Sequence, residues 1–258
     1  MHLAPKIVAF MIALVLCIGL PVLSIAAKSK NAAVEKTAEN EKAAQLLAQG
    51  CKTLTALSTY SFQATVTLDK VYQDGSKIQT NRSMAVTVQR PGAFRIVTDG
   101  DDFQAISVFD GKTFTLALPG QKVYAQISAA LDTDGLMDML ATKYGIESPL
   151  GDLLSNEPCA MMPNKAGYYV GKSKVDGVVC DHLFFQGKDV DWQLWIEDGP
   201  LKLPRKIIIT EKKLKMCPQF TAVLSDWKTG ENAKGNFSFD VQGFTRDDNV
   251  ILGAKQGK

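Results

Sequence analysis

The tightest constraint on this chain lies between Tyr168 and Ile209, where strand-like runs are apolar on both faces. Leu183, Phe184 and Phe185 are consecutive, as are Ile207, Ile208 and Ile209, and Trp195 falls opposite the face shared by Trp192, Leu194 and Ile196. Successive strand side chains point to opposite sides of a sheet. A sheet with one wet face would alternate apolar and polar residues, so both faces here need cover. Either helices lie over the second face, or a curved sheet encloses a cavity. Inside the stretch, Asp176-Gly177 separates Val170 to Val175 from Val178 to Phe185 and suits the positive φ of a two-residue hairpin turn.

The same grammar extends in both directions. Tyr60 to Tyr72 alternates with period two, placing Phe62, Ala64, Val66 and Leu68 on one side, and Asp74-Gly75 turns it into Lys77 to Arg90. After Pro91-Gly92 come a strand at Phe94 to Thr98, a hairpin at Asp110-Gly111 and a strand at Val123 to Ile127. Six strands pass without a crossover helix, which makes the sheet antiparallel. Strands are also expected over Pro204 to Glu211, Gln219 to Trp227 and Phe237 to Val241. Roughly eleven or twelve strands and three helices result, and an open sheet of that width curls or splits.

The helices have their own signals. Leu46, Leu47, Gly50, Cys51, Leu54 and Leu57 recur at three and four, one apolar stripe on a helix from about Glu41. Asp132 can cap a helix carrying Leu136, Met139 and Leu140 that Gly145 stops, and Ser148-Pro149 can open a short one through Leu150, Leu153 and Leu154.

Residues 1–26 read as an export signal: Lys6, an apolar run from Ile7 to Leu20, then Ser24-Ile25-Ala26 as the cleavage exit. Residues 27–40 read as a flexible segment, 41–246 as a single domain and 247–258 as a mobile tail. Without Lys6, the 29 lysines and arginines fall by one against 27 acidic residues, so no strongly charged partner is implied and nucleic acid is disfavoured. No integral membrane segment is expected after cleavage.

Cys180-Asp181-His182 is the grouping most like a catalytic site, since Cys180 and His182 share a strand face. A thiol in an oxidising compartment tends to be paired, and His182 is the one histidine left after removal of the signal, so a structural role is expected for it. Cys51, Cys159, Cys180 and Cys217 have no CxxC spacing, and neither a metal site nor a cofactor is expected. At least one disulfide is. Cys159 with Cys180 is the favoured pair, because Cys159 begins the loop leading back to the central hairpin.

The blocks VDGVVCDHLFF, DWQLWIEDG, LPRKIIIT and PQFTAVLSDW, with RPGAFRI, FDGKTFTL and YGIESPLGDLL before them, resemble a domain family of uncharacterised predicted bacterial periplasmic proteins. That family is similar in fold to the periplasmic lipoprotein-carrier (LolA-like) superfamily. The resemblance implies an α+β fold, a curved antiparallel half-barrel of about 11 strands with helices covering its concave face. It also implies a bacterial envelope location and a lipid-like ligand. The expected lining of the cavity is Val66, Leu68, Val88, Ile96, Leu140, Leu153, Phe184, Trp192, Leu194 and Ile208. The function expected is a non-enzymatic periplasmic carrier or sensor of an apolar ligand or lipid, with another envelope protein as a further partner. An envelope scaffold or regulatory interaction domain without ligand is the alternative, and a hydrolase using Cys180 and His182 the third.

Overall fold

The computed structural model describes residues 25–101, 103–159 and 167–253, with 25–37, 252 and 253 as backbone only. The export segment therefore lies outside the described residues, apart from the backbone of its last two. Helix α1 runs over Ile25–Ala56, so the backbone of 27–40, expected as a flexible segment, is helical. Strands follow as β1 (Thr59–Val71), β2 (Lys77–Gln89), β3 (Ala93–Gly100), β4 (Ala105–Phe109), β5 (Thr113–Leu118) and β6 (Val123–Ser128). After α2 (Thr133–Met139) come β7 (Gly167–Val175), β8 (Val178–Gln186), β9 (Val190–Glu197), β10 (Pro204–Glu211), β11 (Gln219–Thr229), β12 (Thr245–Arg246) and α3 (Asn249–Gly253).

All twelve strands form one sheet in the order β12-β6-β5-β4-β3-β2-β1-β11-β10-β9-β8-β7, a curved half-barrel left open between β12 and β7. Every pairing is antiparallel except β12 with β6. The Asp-Gly turns do what their chemistry predicts: Gly75, Gly111 and Gly177 sit at φ 86°, 88° and 82°, and Asp176 at 46°. Asp132 accepts a hydrogen bond from Gly135 N (2.9 Å) to cap α2, which continues as a π-helical turn over Leu140–Tyr144 until Gly145 at φ 66° ends it. The helix expected from Ser148 is a single 3-10 turn, Gly151–Leu153, with no side-chain cap.

Two covers explain the doubly apolar strands. On the concave face, α1 lays Ala43, Leu46 and Leu47 over Leu183, Phe185, Leu194 and Ile196, while α2 and the turns after it set Leu136, Leu140, Leu153 and Leu154 against Phe62, Val86, Phe94 and Phe114. On the convex face of β2 to β6, cover comes from residues 234–247. Gly235 abuts Thr87, Arg95 donates to the Ser238 carbonyl (3.1 Å), and Phe239 meets Tyr124 at 6.1 Å. No strand forms over 237–241, contrary to expectation, because this strap crosses the strands and has no edge to pair with. It ends by pairing β12 with β6 and burying Ile251 in the concave core. The domain thus reaches into the stretch 247–253 expected as a mobile tail; 254–258 lie outside the described residues.

The disulfide is Cys51–Cys159, with Cα atoms 5.8 Å apart, and the expected Cys159–Cys180 pairing is incorrect. The reason is side. Cys180 stands on the convex face of β8, fully buried, with its thiol on the Val178 carbonyl, whereas Cys159 reaches α1 on the concave face. A sheet separates them.

Candidate functional site

The concave face is divided into two apolar clusters, one under α2 and one under α1, and Ile207 packs against both. Of the residues expected to line a cavity, Val66, Val88, Ile96, Leu140 and Leu153 gather in the first, and Leu194 and Trp192 in the second. Leu68 shares their face two residues beyond Val66. Phe184 and Ile208 do not belong there. Phe184 pairs with Gln193 while its neighbours Leu183 and Phe185 pair with Leu194 and Trp192, and Ile208 packs with Val175, Cys180 and Trp195 on the convex side.

One end of the half-barrel is closed by a polar clamp. Tyr60, fully buried, donates its hydroxyl to the Leu153 carbonyl, and burial pushes its phenol far above the usual value against the pull of Arg90. Arg90 lies 4.9 Å over the Tyr60 ring. Its guanidinium donates to the carbonyls of Leu54, Leu57 (2.9 Å) and Ser155 (2.8 Å), joining the last turn of α1 to the end of the 3-10 segment. Asn156 adds bonds to the Pro91 carbonyl and to Asp134. Nearby, α1 approaches the loop before β10 so closely that a Cβ on Gly50 would stand 3.2 Å from the Lys202 carbonyl oxygen. The buried carboxylate of Asp181 is held there by Tyr169 (3.0 Å), Lys172 (3.4 Å) and Lys202 (3.9 Å).

The opposite end is different. Across the strands Leu68 faces Phe220, Phe220 faces Ile209, Ile209 faces Trp192, and Trp192 stacks on Phe185 at 3.9 Å. Leu68, Phe220, Ile209 and Trp192 all remain partly exposed. Thr80, opposite Leu68, carries a buried hydroxyl oxygen with no hydrogen-bond partner. The sequence pointed to Leu68 and Trp192 but not to Phe220 or Ile209, whose faces become known only once the register of β11 and β10 is set.

Cys180 and His182 share the convex face, as expected, without forming a nucleophile and base. Burial pushes the Cys180 thiol up, away from the thiolate that attack needs. His182 stacks on Trp195 at 3.9 Å, and its Nε2 lies 2.9 Å from Gln193 Oε1. Burial lowers its pKa, opposed by the Gln193 hydrogen bond and assisted by Lys206. The folded state therefore binds this proton less readily than the unfolded state, so the stabilisation is complete above the unfolded value of about 6.5 and lost as pH falls through the folded value. His182→Gln is expected to flatten the fall in melting temperature between about pH 7 and pH 5. Thermal melts across that window check it, and an unchanged slope would assign the acid sensitivity elsewhere. Among the described residues no cluster of metal-ligating side chains forms, and no helix is long and apolar enough to cross a membrane.

Known structures align with this chain at low identity. Lipoprotein LppX from Mycobacterium tuberculosis aligns with a TM-score of 0.48 and 15% identity, over 77% of this chain and 99% of its own. LprF from Mycobacterium bovis gives 0.48 and 16% over 77% and 97%, and a LolA superfamily protein from Nitrosomonas europaea 0.36 and 10% over 73% and 94%. No curated protein sequence matches. A family model described as a predicted periplasmic protein (DUF2092) matches residues 43–242, which takes in the second concave cluster, the first apart from Val250 and Ile251, and most of the strap. The chain belongs to this DUF2092 family of predicted periplasmic proteins.

Proposed function

We propose that this protein is a non-enzymatic carrier or sensor that holds an apolar ligand, an acyl chain of a lipid, between the concave face and the helices over it. The observation that carries the reading is the row Leu68, Phe220, Ile209 and Trp192, apolar and partly exposed, at the end of the half-barrel away from the Arg90 clamp. The row leads to the seam at Ile207 between the two clusters. Each methylene buried there gains about 0.8 kcal/mol, so about 16 carbons gain on the order of 12 kcal/mol before ordering costs. Export with loss of residues 1–26 belongs to the same reading.

A native mass spectrum of protein from the periplasm tests both parts, since its mass reports the removed segment and any lipid carried. For the site itself, Trp192→Arg or Leu194→Arg is expected to weaken fatty-acid binding by about tenfold or more, a loss of about 1.4 kcal/mol or more, read by tryptophan fluorescence. Thr65→Arg, on the exposed opposite face, should leave it unchanged. Near-complete burial of Phe62, Val88, Phe94 and Phe109 favours the second reading, an interaction scaffold with a filled core. Lipid-free periplasmic protein and no saturable binding across a lipid panel would decide for the scaffold.

A further inference from the structure

Two hairpin tips at the open end carry a surface that the apolar interior does not account for. β1 and β2 pair for three residues past their neighbours, Asp69 with Gln79, Lys70 with Ile78 and Val71 with Lys77, whereas β11 ends its pairing with β1 at Phe220 opposite Leu68. The tip therefore projects about 10 Å beyond the sheet on that side. The β10–β11 connection reaches it, since Lys215 Nζ lies 3.6 Å from where a Cβ on Gly75 would stand. On these touching tips Tyr72, Ile78, Leu214 and Met216 are 49%, 51%, 57% and 52% exposed. Scattered exposed apolar residues are ordinary, but four on adjoining tips make a patch.

Within the two tips themselves lysine outnumbers acid. Residues 70–78 and 211–217 contain Lys70, Lys77, Lys212, Lys213 and Lys215 against Asp74 and Glu211. Lys77, Lys212 and Lys213 also pair with Asp69, Asp191 and Asp189, which holds their ammonium groups at the rim. Lysine is depleted at the cores of protein interfaces, where Tyr, Trp and Arg gather around pockets. Lysine interleaved with exposed aliphatic residues suits lipid head groups, because the apolar side chains enter the acyl boundary while the long stems keep their charges among the phosphates.

We propose that the tips at 70–78 and 211–217 dock the open end of the half-barrel on the anionic surface of a lipid bilayer. Resting on the carrier reading, this docking brings the row of Leu68, Phe220, Ile209 and Trp192 to the bilayer, from which an acyl chain passes inward.

The test is flotation of the exported protein with vesicles of phosphatidylcholine alone and of phosphatidylcholine mixed with phosphatidylglycerol. Binding to the mixed vesicles is expected to be tighter by about tenfold or more and to weaken with salt. Leu214→Asp with Met216→Asp, and separately Lys213→Glu with Lys215→Glu, should each reduce it about tenfold or more without moving the melting temperature, since these side chains are exposed. Binding that ignores both pairs, or no binding to either vesicle while the tips capture an envelope protein, would overturn the proposal. Fatty acid supplied in solution separates the two readings. Tip variants that lose vesicles but take up fatty acid like the wild type support docking independently of loading. Docking without any uptake leaves this proposal standing and removes the carrier.

Discussion

Cys51→Ser is expected to lower the unfolding free energy by about 4–5 kcal/mol. The bridge closes a loop with a sequence separation of 108, and in the chain-entropy account a loop of about 100 residues is worth about 4.7 kcal/mol. That loop contains β1 to β6 and α2, so without it the unfolded chain regains freedom across half the sheet. The folded side loses as well, because the bridge ties the α1 helix to the segment after the 3-10 turn, both of which seal the concave face. For a domain of this size the loss corresponds to a fall on the order of 10–20 °C in melting temperature. Equilibrium urea unfolding of Cys51→Ser, Cys159→Ser and the double variant should give matching losses. Cys217→Ser, at an exposed free thiol, should cost almost nothing. A loss below about 1 kcal/mol in the Cys51 and Cys159 variants would mean that the unfolded state stays compact enough to make the bridge redundant.

What could be read from the sequence was local geometry, and what could not was the side and register on which distant segments meet. Asp74-Gly75, Asp110-Gly111 and Asp176-Gly177 fix their hairpins because the turn needs positive φ at one or both residues, wherever the hairpin later packs. The stripe through Leu46, Gly50 and Leu54 likewise names the face of α1, down to the glycine that allows close approach to Lys202. Runs of three apolar residues give no such handle. Leu183-Phe184-Phe185 and Ile207-Ile208-Ile209 each present a side chain to both faces, so Phe184 and Ile208 read as interior although the ladder turns them outward. The same ambiguity misled the cysteine pairing: Cys180 is near Cys159 in sequence and across the sheet from it in space. The strap at 234–247 alternates at Phe237, Phe239 and Val241 as a strand would, yet forms none there, because its contacts come from crossing other strands. The family description agrees with the expected envelope location, and the open antiparallel sheet with the expected architecture.

Arg90→Met is expected to loosen the helical plug by about 3–5 kcal/mol while sparing the β7–β11 half of the sheet. The guanidinium serves the carbonyls of Leu54, Leu57 and Ser155, and a hydrogen bond from a charged donor is worth about 1.5–3 kcal/mol when its loss strands a buried partner. Three such bonds exceed the expected total, because the plug can hydrate part of what it loses. Methionine keeps the apolar stem over Tyr60 and removes only the fork, so the substitution tests the hydrogen bonds and not the packing. Arg90→Lys keeps the charge, but one ammonium cannot span carbonyls on two segments in the fixed geometry of a guanidinium, and an intermediate loss is expected. Hydrogen exchange distinguishes a clamp from an ordinary core residue. Amides of 132–156 and of the last turn of α1 should exchange faster in Arg90→Met, while those of β8 and β9 keep their protection. Fatty acid should then enter faster than in the wild type, since the segments held by Arg90 cover the concave cluster around Leu140 and Leu153. Uniformly faster exchange across both halves, with no change in entry rate, would show that Arg90 stabilises the whole domain and gates nothing.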